Sequence, residues 1–318
     1  MRKITFKRQP KLIILGLILI SFLGLWHFTC KQNTSIKWGD EPYISLYLHE
    51  EDKTVSLKFE EYLAGVVAAE MPASFDIEAL KAQTVCARTY AVKKLLEKRP
   101  YPQQADLSDD IDSCQAYISP ADFSKANPKH YQELLTRIRK AVNETRGEIM
   151  LSKGEPIDAL YHSTCGGQTE NAGDVWFQDV SYLSSVKCEY CAESKNYSTV
   201  QVFSLKQIED SIGIDSDEKL DIEVLKTTSS GRIKELSINS LILSGEEFRR
   251  KLNLPSNWLE FKVNKGNLII NSRGYGHGVG MCQYGANGMA RDGADYKEIL
   301  WNYYGDIEFN KITYDVLE

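Results

Sequence analysis

EEYLAGVVAAEMPASF, residues 60–75, followed after Asp76 and Ile77 by EALKAQTVCARTYA, residues 78–91, predicts two consecutive helices, the first with little polar surface. In the first, Tyr62, Leu63, Val66, Val67 and Ala69 cover much of the circumference, so the helix is expected to be buried rather than amphipathic. Pro72 disfavours helical geometry at Met71 and should end the helix there. Asp76 is placed to cap the second, longer helix, and Ala79, Ala82, Ala87 and Ala91 along one side let another element approach closely. An acid, Glu70, therefore falls on the last turn of a buried helix.

Outward from this pair, YISLYLH and TVSLK alternate apolar and polar residues and read as half-buried strands. A polar loop is expected over 99–113, a helix around HYQELLTRIRKAVNET, and two strands joined at KGEP within EIMLSKGEPIDALYHST. From about 203 to 271 the texture changes. TSSGR and NKGN signal hairpins, and SGEE is a capping box in which Ser244 faces Glu247. A glycine-dense loop then enters a helix, and a last helix covers DYKEILWNYYG. The fold class is α+β: mixed helices and sheets in one domain over 41–318, with a smaller subdomain inserted at about 203–271 and a single transmembrane helix in front.

That helix is read from LIILGLILISFLGLWHF, residues 12–28, an apolar run of about bilayer-spanning length. The basic tail MRKITFKRQPK, residues 1–11, should stay in the cytoplasm. A signal peptide shares this pattern, but no A-x-A cleavage site follows, so an uncleaved single-pass anchor is favoured. Residues 29–40 form a polar linker, and Cys30 has a poor context for lipidation. Of 38 basic and 44 acidic residues, five basic ones lie in 1–11, leaving 33 against 44 and a net charge of minus 11 outside the membrane. Such a surface argues against nucleic acid as a partner.

Three islands carry candidate chemistry. Glu70 at an enclosed helix end should have a raised pKa, because burial and the negative end of the helix dipole both favour the neutral acid. A carboxyl kept protonated near neutral pH suits a general acid. In YHSTCGGQTE, residues 161–170, His162, Ser163 and Thr164 read either as a turn or as the lining of a groove. A nucleophilic Cys165 is a third reading. In GYGHGVGMCQYGANGMA, residues 274–290, the glycines match neither a dinucleotide fingerprint nor a P-loop. His277, Gln283 and Tyr284 among them suit a sugar-binding surface, with a structural glycine corner as the alternative. Of seven cysteines, Cys165, Cys188 and Cys191 with His162 have the residue types of a zinc site but unusual spacing. Disulfides and free thiols remain open alternatives.

Taken in order, EEYLAGVVAAEMPASF with EALKAQTVCARTYA, YHSTCGGQTE followed by DVW and YL, SGEEFRRKL, and GYGHGVGMCQYGANGMA resemble the domain of the stage II sporulation protein D and amidase-enhancer family. The resemblance spans roughly residues 41–306. It implies a lytic transglycosylase that cleaves peptidoglycan glycan strands, preferably peptide-stripped, between N-acetylmuramic acid and N-acetylglucosamine. It also implies a partner amidase and a membrane protein during engulfment. By motif position Glu70 would be the catalytic acid, with Lys81, Gln83, Arg88, His162, Ser163 and the His277 loop as groove residues. A hydrolytic glycosidase needs two carboxyls, whereas a transglycosylase manages with one. That chemistry needs no metal or cofactor, and none is assigned. A non-catalytic wall-binding activator of an amidase is the alternative. The sequence departs from relatives that hold zinc near the CQ pair through a His and two Cys: it keeps Cys114 but has Ser108 and Pro102 at the earlier positions. Cys165 and Cys282 replace serines common in the family, and Cys86 replaces an alanine.

Overall fold

The computed structural model describes residues 37–38, 41–176, 180–215, 220–264 and 266–314, with 37–38 and 313–314 described by their backbone alone. The tail and anchor expected at 1–11 and 12–28, and all but two residues of the 29–40 linker, lie outside the described residues. No helix among the described residues is long and apolar enough to cross a membrane. The fold is α+β, with ten strand pairings of two to seven residues among the described residues, interleaved with helices.

Tyr43–Leu48 and Lys53–Lys58 form an antiparallel hairpin that feeds directly into the Phe59–Glu70 helix. The helix stops where the sequence indicates: Met71 is extended, at φ −130° and ψ 139°, and its N–H returns to the Val67 carbonyl at 3.1 Å. The expected all-round burial needs correction. Phe59, Glu60, Tyr62, Leu63, Gly65, Val66 and Val67 are buried, but Glu61 in the first turn and Ala69 in the last are exposed, and Glu70 lines a groove. Gly65 is required by a crossing loop, since a Cβ there would come within 2.1 Å of the Tyr117 ring. Ile118 N–H bonds the Gly65 carbonyl at 3.3 Å, and this crossing carries Ala116 to the end of the helix.

The Ile77–Glu97 helix is the axis of the core. The Asp76 carboxylate accepts from Glu78 N–H at 2.9 Å, as an N-cap should. Ala79, Ala82, Ala87 and Ala91 are fully buried, and the helix packs against the Tyr131–Glu144, Gln283–Arg291 and Tyr296–Tyr303 helices and the Glu148–Ser152 strand. Leu80, Val85 and Val92 of the same helix are also fully buried, each burial contributing about 1.5–3 kcal/mol.

Glu148–Ser152 pairs antiparallel with Glu155–Pro156, across the KGEP turn, and with Glu308–Lys311. The segment 99–113 is not only loop, since Leu107–Ser108 adds a parallel strand beside Leu46–Tyr47. A Pro120–Ala126 helix, capped by Ser119, was not indicated by periodicity because it is only two turns long. Further along, Ser198–Ser204, Asn267–Arg273 and Leu259–Asn264 form one sheet, and Ile222–Thr227, Ile233–Ile238 and Leu241–Ser244 another. Both turns expected from TSSGR and NKGN join antiparallel strands, and the Ser244–Glu247 capping box is present. These elements enclose a separate apolar cluster, including Ile208, Leu236, Phe248, Leu268 and Ile270, whose members all come from 203–270.

Candidate functional site

The second and third islands meet through main chain. Tyr161–His162 runs parallel to Met281–Cys282, pairing Tyr161 with Met281 and His162 with Cys282. Gly280 makes this approach achievable: its φ is +72°, and a Cβ would lie 2.1 Å from the Leu160 carbonyl oxygen. The Phe59–Glu70 helix ends against the same junction. There the Gln283 amide donates to the Glu70 carbonyl at 2.9 Å and to Gln83 Oε1 at 3.2 Å.

Between these elements lies a groove of about 750 Å³, lined among others by Glu70, Gln115, Tyr161, His162, Trp176 and His277. Glu70 Oε1 accepts the Ala116 N–H at 2.8 Å. Burial raises the Glu70 pKa above its ordinary 4.5, while the Ala116 N–H and the Tyr161 hydroxyl favour the carboxylate and offset part of that effect. The Tyr161 hydroxyl directs its proton to Gln115 Oε1 at 3.0 Å, and burial keeps it protonated.

The two histidines are held neutral. His277 Nδ1 accepts the Val279 N–H at 3.1 Å, which leaves Nε2 as the protonated nitrogen facing the Tyr161 carbonyl at 3.2 Å. Burial lowers its pKa to about 4. His162 donates from Nδ1 to the Val279 carbonyl at 3.0 Å, and burial takes its pKa well below 6.5. Its Nε2 has no hydrogen-bond partner among the described residues. The His162 and His277 rings meet edge to face at 5.6 Å, and the half-exposed Trp176 lies 5.3 Å from His277, so an aromatic wall borders the groove. Neither imidazole is available as a cationic acid at neutral pH.

The site residues expected from sequence divide. Glu70, His162, Ser163, His277 and Gln283 all line the groove. Gln83 does not; it is fully buried beneath Gln283. Tyr284 packs its ring on Phe75 at 5.0 Å. Lys81 is paired with Glu78 and Glu144, at 2.7 Å each. Arg88 is enclosed in the core, where its guanidinium clamps Glu60 through Nε–Oε1 at 3.0 Å and Nη2–Oε2 at 2.7 Å. The physical reason is that a helix packed on all sides turns its polar residues toward internal partners. Gln115, Tyr161, Trp176 and Asp158 are groove residues that sequence reasoning did not single out. Tyr161 and Trp176 stood within the quoted stretches YHSTCGG and DVW, and that placement was the available signal. Asp112 and Asp158 are further carboxylates on the groove, and Asp158 is engaged by Lys93 at 2.5 Å and by the Tyr182 hydroxyl at 3.2 Å.

Two cysteine neighbourhoods differ in what they could hold. Around Cys114, Pro102 offers no side-chain donor, and the Ser108 hydroxyl accepts from the Asp110 N–H at 3.1 Å, so those positions do not fit a metal. Cys165, Cys188, Cys191 and Cys282 are all buried, and their sulfurs lie within 4.8 Å of one another. The fourth member is Cys282, not His162 as the residue types had indicated, because the His162 ring turns toward Val279.

A family model described as Stage II sporulation protein matches residues 47–151, from the first hairpin through Glu70 to the Glu148–Ser152 strand. Stage II sporulation protein D of Bacillus amyloliquefaciens is 34% identical over 270 residues, covering 84% of this chain and 78% of that protein. Stage II sporulation protein D of Bacillus subtilis (strain 168) is 35% identical over 263 residues, covering 82% and 77%. The amidase enhancer of Bacillus subtilis (strain 168) is 29% identical over 297 residues, covering 76% of this chain and 39% of that protein.

Proposed function

Because the chain belongs to the stage II sporulation protein D family, we propose that it is a lytic transglycosylase of sporulation, acting on peptide-stripped peptidoglycan strands with Glu70 as its single general acid and base. The observation that carries this reading is the Glu70 carboxyl on the groove, its pKa raised by burial and its main chain tied down by Gln283. The neutral acid protonates the glycosidic oxygen as the bond to muramic C1 breaks. The resulting carboxylate then takes the proton of the muramic 6-hydroxyl as that oxygen closes on C1, leaving a 1,6-anhydro end and regenerating the acid. The substrate's N-acetyl group stabilises the cationic intermediate. Trp176 and His277 supply an aromatic wall for the sugar, and Tyr161 supplies a hydroxyl that stays protonated.

The reading extends to location. Residues 12–28 anchor the protein in the cell membrane with its N-terminus cytoplasmic and the groove outside, where a partner amidase exposes naked glycan strands and a membrane protein completes the engulfment complex. The similarity to an amidase enhancer favours one alternative, a groove that binds wall glycan and stimulates an amidase without cutting. Digestion of peptide-free strands by the full chain, with mass analysis of the ends, separates the two. Anhydro-muramic ends that fall by about 10²–10⁴-fold in Glu70→Gln support the enzyme. Reducing ends, or no cleavage alongside stimulation of an amidase, would refute it.

A further inference from the structure

Beside the groove, but not part of its lining, four cysteines from three distant segments converge. Cys165 lies just beyond the Tyr161–His162 strand, Cys188 and Cys191 form a C-x-x-C turn, and Cys282 directly precedes Gln283. Cys165, Cys191 and Cys282 are fully buried and Cys188 is 2% exposed. None of the four is in a disulfide, and the near pair Cys165–Cys191 has its sulfurs 3.4 Å apart, well beyond an S–S bond of about 2.05 Å. A tetrahedral zinc with Zn–S bonds of about 2.3 Å needs sulfurs about 3.8 Å apart, so the observed set needs to move by at most about 1 Å. A multi-iron cluster would need a wider cage.

The surroundings supply donors to the sulfurs, although Cys282 and Cys191 Sγ also face the Ser163 and Cys188 carbonyls, at 3.7 and 3.9 Å. Cys282 Sγ accepts two main-chain N–H groups, from Cys165 and from Gly285, each at 3.3 Å. The second bond is the N-cap of the Gln283–Arg291 helix, where the positive end of the helix dipole favours negative charge. Tyr303 places its hydroxyl 3.2 Å from Cys188 Sγ. Next to the cluster is a buried cation, Arg232. Its Nη2 donates to the Cys165 and Gln168 carbonyls at 2.8 Å each, and the nearest ion-pair partner, Glu170, lies 3.8 Å from Nη1. Arg273 stands close by, donating to the Gly166 carbonyl at 2.9 Å. A zinc tetrathiolate carries a charge of minus two, which the buried Arg232 guanidinium would partly offset. Gly285 completes the cage: a Cβ there would lie 2.5 Å from Cys188 Sγ.

We propose that Cys165, Cys188, Cys191 and Cys282 hold one structural zinc ion. Binding displaces the thiol protons to solvent and involves no change of oxidation state. The ion cross-links the YHSTCGG, KCEYC and GMCQ segments, adding to the short strand pair, the bridges and the main-chain hydrogen bonds by which they meet. It thereby fixes Cys282 and, one residue on, the Gln283 amide that holds the Glu70 main chain. The site stands whether or not Glu70 is catalytic.

Metal analysis of the full chain, purified without chelator, should give about one zinc per chain. After chelator treatment under reducing conditions, Co²⁺ should produce the strong visible absorption and sulfur-to-metal charge-transfer bands of a tetrahedral tetrathiolate, which Zn²⁺ then abolishes. This titration uses the unaltered sequence, so it does not depend on any variant folding. Cys191→Ser should lose the stoichiometric zinc, whereas Cys86→Ala, outside the cluster, should keep it. Absence of zinc together with no tetrahedral cobalt spectrum would overturn the proposal. So would stoichiometric iron in place of zinc, a disulfide between any two of the four in the folded chain, or zinc retained by Cys191→Ser.

Discussion

The side-chain amide of Gln283 donates to the main-chain carbonyl of Glu70 at 2.9 Å, across a separation of 213 residues. The bond falls on the last turn of the Phe59–Glu70 helix, where carbonyls have no partner within the helix. Gln283 thus fixes where the carboxyl stands without touching it. Gln283→Leu should lower kcat on glycan strands by between about 10- and 100-fold with a smaller change in KM, since displacement of a reacting group by 1 Å has an effect of this order. Steady-state kinetics on defined strands check this, and a rise in KM at unchanged kcat would assign Gln283 to substrate binding instead.

Proton donation by Glu70 requires its neutral form, so activity should fall as pH rises through its pKa. Burial places that pKa above 4.5, against the opposing influence of Ala116 and Tyr161. Tyr161→Phe removes a group that favours the carboxylate, so the pKa should rise further and the alkaline limb of the pH–rate profile should move to higher pH. Movement to lower pH would show that the hydroxyl stabilises the neutral acid.

Asp158 tests the number of carboxyls the reaction uses. It lines the groove but is bound by Lys93 and Tyr182. With Glu70 as the single acid and base, Asp158→Asn should still yield anhydro ends, within about tenfold of the unaltered rate. Loss of cleavage equal to that in Glu70→Gln, with reducing ends from the unaltered chain, would identify a two-carboxyl hydrolase.

Trp176 is 45% exposed and stands against the His277 ring. If it serves as a platform for a sugar ring, Trp176→Ala should raise KM by about tenfold while kcat is largely kept. Trp176→Phe should retain most of the affinity. An unchanged KM in the alanine variant would place the glycan elsewhere in the groove.

Arg88 is assigned to the core by its bidentate grip on Glu60, with exposures of 0% and 5% for the two side chains. Arg88→Met should cost about 3–5 kcal/mol in denaturant unfolding, because it leaves a buried carboxylate without its guanidinium. Adding Glu60→Leu should recover most of that loss. Undiminished stability with a raised KM would return Arg88 to the substrate groove.

Much of the path to Glu70 was legible in linear order. Pro72 ends the helix, Asp76 starts the next one, and the alanines at 79, 82, 87 and 91 mark a helix enclosed by others. These are local rules of backbone geometry and packing, so they hold without knowledge of the partners. Side-chain destinations were not legible. Lys81, Gln83 and Arg88 share one helix with these alanines, and nothing in their spacing reveals that Arg88 faces Glu60 and Lys81 faces Glu144.

By itself, the sequence determined that an acid closes an apolar helix, and that two glycine-rich islands lie far from it along the chain. Only the tertiary structure decided that a parallel pairing of Tyr161–His162 with Met281–Cys282 brings those islands to Glu70, and that Cys282 rather than His162 joins the three other cysteines. The reason is that a pKa and a ligand set depend on distances across space. The burial that raises Glu70, the Ala116 N–H that opposes it and the Gln283 amide that steadies it come from segments 46 and 213 residues away.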